Sequence, residues 1–352
     1  MVRPRTVIVT LVVGLCAALW WGRPAARANA PLPRVTAAER VTAAPRARVT
    51  PPVAAAPAPA PAKPGPVFAA SWGGGPDQLG RDRPPEGSPV GPMSFAVDPK
   101  GGLLVLDNVN DRLVRRNADG SANTLIPVGG YPEDVAWADD GSMAVLDRFR
   151  DRSVSLFDAS GRPLGKLPLE GPGVPDTGSI TSIAVDGNDV YAERAHGPMV
   201  KLGSLSGVPA ADRSEIPGRP SRDGTAFLAS GIIEAASGRA YVTVTDRAPL
   251  QHRFTRELRL EAPVRQILLL DSDRAGTIYF AAEVQPGQSE TQTEIKIVCL
   301  EPLGGAPTGT ASVAANSLPE ESFRDLAALP DGGVLVAHRT EQGVTYTRVE
   351  CE

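Results

Sequence analysis

Six short apolar segments of the chain each end in an acidic residue or a histidine, and these residues are the first candidates for chemistry. Carboxylate and imidazole groups bind cations and polar ligands. The six residues are Asp107, Asp147, Glu193, Asp246, Glu283 and His338. At equivalent positions of a repeated structure they would form a ring. The alternative is that each carboxylate only caps its own loop, as Asp107 would by pairing with Arg112 and Asp147 by pairing with Arg152.

The three histidines suggest a second kind of site. They are His196, His252 and His338, and we place each in or beside the loop after the second strand of a different repeat. Three converging imidazoles could hold zinc with an open fourth position that activates water. Three separate, solvated histidines are the alternative. We expect no cofactor, and calcium and zinc are the metals to test.

Two common motifs do not occur in the sequence. The run Gly73–Gly75 is followed neither by Lys-Ser/Thr nor by a predicted helix, so it does not fit a phosphate loop. No G-x-S-x-G segment is present for a nucleophile elbow. These observations favour a binding protein over a hydrolase with a serine nucleophile.

The candidate residues recur because the surrounding sequence recurs. Pro92–Ser121 holds three short apolar runs separated by turn residues, which predicts a β-meander. Forty residues later, Gly101, Asp107, Asp111, Arg112 and Val114 are matched by Gly141, Asp147, Asp151, Arg152 and Val154. A period of this size is typical of radial β-repeats.

Weaker copies continue to the C-terminus and give six units in residues 67–352. Their strands are continuous apolar runs, such as Leu103–Leu106 and Ile278–Ala282, so both faces of each sheet must be buried. A closed ring of sheets provides that burial. The last unit shows three strands, and we expect Val67–Trp72 to join it as the fourth, outer strand. The predicted fold is an all-β, six-bladed β-propeller closed by an N-terminal strand.

The N-terminal residues have a different character. Residues 1–30 include Arg3 and Arg5, which precede the apolar run Val7–Trp21, as in an export signal. Fifteen helical residues span about 22 Å, which is short for about 30 Å of bilayer core. Ala26–Ala28 offers a cleavage site, whereas Trp20 and Trp21 suit an uncleaved membrane anchor. Cleaved signal and anchor both remain open.

Residues 31–66 contain ten prolines among many alanines, so they predict an extended, disordered linker. Residues 1–66 carry nine basic and one acidic side chain, which leaves 27 basic and 39 acidic side chains, a net charge of −12, in residues 67–352. This charge argues against nucleic acid as a partner. We expect an exported monomer, periplasmic or extracellular, and held at the inner membrane if the signal is uncleaved.

Cys299 and Cys351 are a candidate disulfide, because exported proteins permit one. Both lie near the ends of third strands in neighbouring units. Sheets stacked about 10 Å apart hold facing residues beyond disulfide reach unless the strand ends converge. Two unpaired thiols are the alternative.

The segment AVDPKGGLLVLDNVNDRLVRRNADG, together with the preceding SWGGGPDQLG, resembles the NHL repeat family of six-bladed β-propellers. The match is good over residues 91–120, partial over 130–161 and weak from 178 onward, and Arg150 stands where the family has asparagine. The resemblance implies the propeller fold and either a binding role or a hydrolytic or lyase role. The three histidines are also similar in arrangement to the amidating-lyase branch of such propellers.

Two functions follow from the sequence. The first is a binding module in the cell envelope that recognises a protein, a peptide or a glycan. The alternative is a metal-dependent, lactonase- or lyase-like enzyme that uses the acidic and histidine ring at the mouth of the channel.

Overall fold

The computed structural model of the chain describes residues 66–119, 121–195, 197–287 and 293–352. The predicted signal or anchor (residues 1–30) and nearly all of the predicted linker (31–66) lie outside these ranges. Within them, helix is confined to two short 3-10 turns, Asn108–Asn110 and Thr177–Ser179. No helix of this part of the chain has both the length and the apolar character required to cross a membrane.

The described residues form six small sheets, which are the blades of a β-propeller, and all but one of their strand pairs are antiparallel. Strands β1 (Pro66–Trp72) and β2 (Gln78–Leu79) precede the first blade. Blade 1 contains β3 (Ser94–Val97), β4 (Leu103–Asp107), β5 (Arg112–Arg116) and β6 (Thr124–Pro127). Blade 2 contains β7 (Asp134–Trp137), β8 (Met143–Asp147), β9 (Ser153–Phe157) and β10 (Pro163–Pro168). Blade 3 contains β11 (Ile180–Asp186), β12 (Asp189–Arg194), β13 (Met199–Ser204) and β14 (Glu215–Ile216).

The second half of the ring has longer strands. Blade 4 contains β15 (Arg219–Pro220), β16 (Ala226–Glu234), β17 (Arg239–Arg247) and β18 (Leu250–Arg259). Blade 5 contains β19 (Val264–Ser272), β20 (Ile278–Val284), β21 (Glu294–Leu300) and β22 (Pro307–Ala314). Blade 6 contains β23 (Leu326–Ala328), β24 (Val334–Thr340) and β25 (Gly343–Val349), with β1 and β2 on its outer side.

The ring closes through β1, as the sequence predicted. This strand pairs antiparallel with β25, and its last residue, Trp72, donates an indole hydrogen bond of 2.9 Å to the carbonyl of Thr340. The contact is secured by packing between blades 6 and 1, where the ring of Tyr346 lies 5.7 Å from that of Phe68 and 5.1 Å from that of Phe95. The first and last strands of the fold therefore share one sheet.

The hydrophobic core lies between adjacent blades. One cluster joins blades 1 and 2 through residues such as Leu104 and Val145, and another joins blades 4 and 5 through Val242 and Phe280. Strands such as β4 and β8 are buried along their whole length. This is the burial that continuous apolar runs require, because each sheet has a neighbour on both faces.

Cys299 of β21 and Cys351, just after β25, are joined by a disulfide with Cα atoms 6.3 Å apart. The chain end converges on blade 5, where backbone hydrogen bonds of 3.1 Å link Glu352 and Thr310 in both directions. The convergence of these strand ends brings the two thiols within reach although they belong to different blades.

Candidate functional site

Strand direction alternates in each blade, so the two faces of the propeller carry different loops. The second and fourth strands end at one face, here called the upper face, which carries the second-to-third-strand loops and the connections between blades. The first and third strands end at the opposite, lower face. The inner strands of the six blades surround the central channel between these faces.

The channel holds two cavities. The upper chamber, about 410 Å³, is lined by Glu193, Arg219, Glu283, Arg324 and Arg339 among others. The lower chamber, about 350 Å³, opens among the first-to-second-strand loops. Both are lined by Arg219, Asp271, Arg324 and Ala327, so the two chambers meet at these residues.

Each arginine of the upper chamber is neutralised by a carboxylate. Arg148 contacts Glu133 through two atoms, at 2.8 and 2.6 Å. Arg339 pairs with Asp325, and Arg219 lies 3.7 Å from Glu193. Burial acts to lower the pKa of Arg219, but the charges of Glu193, Asp271 and Asp134 outweigh it, so this pKa lies above its ordinary value. The channel is therefore polar, but most of its positive charges are balanced by neighbouring carboxylates.

Asp134, at the start of β7, connects four blades and is fully buried. Its carboxylate accepts a hydrogen bond of 2.6 Å from the hydroxyl of Ser94 in blade 1 and one of 3.0 Å from the backbone N–H of Ile183 in blade 3. It also pairs at 2.6 Å with Arg324, which precedes the inner strand of blade 6. Because charge-assisted bonds are strong in a buried setting, this carboxylate ties blades 1, 2, 3 and 6 together beside the channel.

Two members of the predicted ring, Asp107 and Asp147, each hold the loop that follows their own strand and the connection that leads into their blade. Asp107 is fully buried, pairs with Arg112 at 2.8 Å and accepts from the backbone N–H of Gly80. Asp147 accepts from three backbone N–H groups, those of Tyr131, Arg150 and Asp151, at 2.8, 2.8 and 3.1 Å. The proposed pairing of Asp147 with Arg152 is wrong, because Arg152 pairs with Glu170 at 2.6 Å.

The remaining members are divided between two faces. Glu193 and Glu283 line the upper chamber, and Glu283 accepts from Gln266 at 2.7 Å. His338 lies within β24, and its side chain is exposed. Successive side chains of a strand point to opposite faces, so the next residue, Arg339, is buried and lines the upper chamber instead. The position predicted for Asp246 is wrong: it lies on β17, the third strand of blade 4, and pairs at the lower face with Arg253 at 2.6 Å.

The histidine hypothesis is corrected in one position and untested in another. His252 lies on β18, the fourth strand of blade 4, where its ring nitrogen is 3.0 Å from the hydroxyl of Thr255. His196 lies outside the described residues. Among the residues that are described, no group of three or more histidine, cysteine, aspartate or glutamate side chains is placed to hold a metal ion.

Sequence reasoning missed an aromatic and arginine surface on the upper face, here called the rim cluster: Tyr131, Arg148, Phe149, Arg150 and Phe323. Tyr131 and Phe149 are 69% and 61% exposed. The guanidinium of Arg148 lies between two rings, 4.8 Å from Phe149 and 4.7 Å from Phe323, and that of Arg150 lies 5.4 Å from Tyr131. The sequence signal was large aromatic residues inside the turn segments GGYPED and DRFRDR, where exposure is expected.

The rim cluster is continuous with the upper chamber and held in place by Asp147. Arg148 and Phe323 line the chamber as well as the cluster. Tyr131 and Arg150 stand on two different loops of the chain, and backbone N–H groups of both residues are bound to the one carboxylate of Asp147. Gly130 permits the approach: its φ is +94°, and a Cβ there would lie 2.5 Å from the Asp147 Oδ2.

No family model and no curated protein sequence matches the chain. Among solved structures, the chain is similar to a DUF4221 family member from Bacteroides vulgatus, with 9% identity and a TM-score of 0.47, covering 81% of this chain and 96% of that one. It is also similar to a virginiamycin B lyase from Staphylococcus aureus (10% identity, TM-score 0.40, 74% and 95% covered). A third similar structure is BamB from Moraxella catarrhalis, with 12% identity and a TM-score of 0.36, covering 74% of this chain and 86% of that one.

Likenesses this distant carry no argument about activity, and the fold assignment rests on the six sheets themselves. The NHL resemblance stays a prediction from the sequence. What the described residues establish is a six-bladed β-propeller with a polar channel that opens, on its upper face, beside exposed aromatic rings.

Proposed function

We propose that the protein is an exported binding module whose upper face docks a partner in the cell envelope. The observation that carries this proposal is the rim cluster. Tyr131 and Phe149 leave more than half of their surface in water rather than packed in the core, and tyrosine and arginine are enriched at binding hot spots. The hydrogen bonds of Asp147 hold the cluster ready, which lowers the ordering cost of association.

Export is supported by two observations of different kinds. The sequence begins with the charge and apolar pattern of a signal. The disulfide between Cys299 and Cys351 suits an oxidising compartment such as the periplasm or the cell exterior. The partner classes remain those expected from the sequence: an envelope protein, a peptide or a glycan.

Site-specific photo-cross-linking in cells tests the proposal. A benzophenone amino acid replaces Phe149 on the upper face in one variant and Leu250, which is 66% exposed at the lower face, in the control. We expect irradiation to give discrete cross-linked products in the envelope fraction from position 149 and not from position 250. Equal patterns from the two positions, or products from position 250 alone, would contradict the proposal.

The metal-dependent enzyme proposed from the sequence has a separate test. Elemental analysis of the purified full chain measures bound calcium and zinc. Stoichiometric metal that is lost in Glu193→Ala or His338→Ala would favour the enzyme over the binding module.

A further inference from the structure

The charge of the rim cluster indicates what kind of partner it fits. Among the charged side chains that the structure describes, no carboxylate lies within 4.0 Å of the guanidinium of Arg150. Its neighbour Asp151 pairs with Lys166 instead, and that hydrogen bond, with a smaller contribution from the charge of Arg150, lowers the pKa of Asp151. Arg148, by contrast, is satisfied by Glu133. Of the two arginines in the cluster, Arg150 is therefore the one whose guanidinium has no carboxylate in contact.

That charge lies among features that fit an extended chain. Arg150 is exposed, and its guanidinium stands over the ring of Tyr131. It also lines an outer cavity of about 570 Å³ between blades 1 and 2, together with Gly130 and the paired charges of Asp151 and Lys166. An exposed cation, a neighbouring apolar ring and an adjoining open cavity could each contact successive side chains of one bound segment.

We propose that the rim cluster binds an acidic peptide segment of a partner protein, with a carboxylate against Arg150 and an apolar side chain against Tyr131 and Phe149. This inference rests on the proposed function and names its partner class. Residues 67–352 carry a net charge of −12, which on average repels an acidic segment, so such a segment needs an exposed cation such as Arg150 in order to bind. The cluster therefore supplies specificity as well as contact area.

The experiment uses a random dodecapeptide phage library panned on the full chain, followed by affinity measurements on the enriched peptides. Each peptide is also made with every Asp and Glu replaced by the corresponding amide. The test variant is Arg150→Glu. The matched control is Arg274→Glu, because Arg274 is also exposed but lies in a first-to-second-strand loop at the lower face. Thermal melting verifies that both variants fold.

We expect enriched peptides rich in Asp and Glu with at least one large apolar residue. Their amide versions and the Arg150→Glu variant should each bind about ten-fold more weakly, whereas Arg274→Glu should bind like wild type. Raising the salt concentration should weaken wild-type binding, because an exposed charge pair is screened.

Three outcomes would overturn the inference. The first is that the enriched peptides are neutral or basic, and the second is that they bind Arg150→Glu as tightly as wild type. The third is that no peptide is enriched. An acidic oligogalacturonate that bound through Arg150 would not rescue the inference in that case, because the ligand would then be a glycan and not a peptide. If cross-links from position 149 persist in any of these cases, the inference has failed and the proposed function stands. If the cross-links are also missing, both have failed.

Discussion

Replacing Asp134 should destabilise the propeller more than any other single carboxylate substitution in the channel. This side chain is fully buried and joins blades 1, 2, 3 and 6. In Asp134→Ala the guanidinium of Arg324, whose side chain is 17% exposed, would lose its counter-charge. The hydroxyl of Ser94 and the N–H of Ile183 would lose their acceptor at the same time.

The size of the effect follows from the loss of that pair. Breaking a buried ion pair by removing one partner costs about 3–5 kcal/mol, because the other charge remains buried without compensation. Asp134→Asn keeps an acceptor oxygen but not the charge, so we expect it to cost roughly 2 kcal/mol. Removing both charges in Asp134→Leu with Arg324→Met should restore most of the loss, since the uncompensated cation is gone.

Guanidinium unfolding followed by circular dichroism measures these free energies of unfolding. The matched control is Asp139→Ala, an exposed carboxylate in the next loop of the same blade, for which we expect a change within about 0.5 kcal/mol. A loss below about 1 kcal/mol for Asp134→Ala would refute the reasoning. So would a double variant whose loss equals the sum of the losses of Asp134→Leu and Arg324→Met alone, because the two side chains would then not be coupled.

Three further predictions concern the disulfide, the rim and the alkaline limit of stability. Replacing Cys299 and Cys351 by serine removes a cross-link between residues 52 positions apart, and the denaturation midpoint should fall by the equivalent of about 4 kcal/mol. Reduction of the wild type should give the same fall. An unchanged midpoint would contradict a stabilising role of the disulfide. In Asp147→Ala the amides of Tyr131 and Arg150 should exchange hydrogen at least ten-fold faster, because they lose their acceptor; unchanged exchange would show that Asp147 does not hold the rim. Burial and the nearby Asp273 raise the pKa of Tyr279 to about 12 from an ordinary 10.0, so its contribution to the free energy of unfolding is complete below pH 10 and is lost as the pH rises towards 12. Unfolding free energies measured between pH 10 and 12 should therefore fall less steeply with pH in Tyr279→Phe than in the wild type. Equal slopes would contradict the assignment.

Much of the fold could be predicted because its signals are local. Apolar runs such as Leu103–Leu106 must be covered on both faces, and a closed ring of six repeats covers them. The role of β1 in closing the ring could be predicted because the sequence shows an unassigned strand before the first unit and only three strands in the last unit. The prediction was wrong in blade 4, where the inner strand is only Arg219–Pro220 and has no apolar run to announce it. The longer β16 to β18 were therefore assigned one position too early, which misplaced Asp246 and His252.

The sequence alone determined the repeat, the number of blades and the ends of the second strands of blades 1 and 2 at Asp107 and Asp147, because these depend on spacing along the chain. It could not determine which residues meet. Asp134 and Arg324 are 190 positions apart, and Tyr131 is 16 positions from Asp147, whose carboxylate holds it beside Arg150. The packing of blades 1 and 2 and the closure of the ring bring these groups within the short range over which hydrogen bonds and ion pairs act. The tertiary structure therefore decided that Asp107 and Asp147 hold loops and that the exposed chemistry lies in the rim cluster beside them.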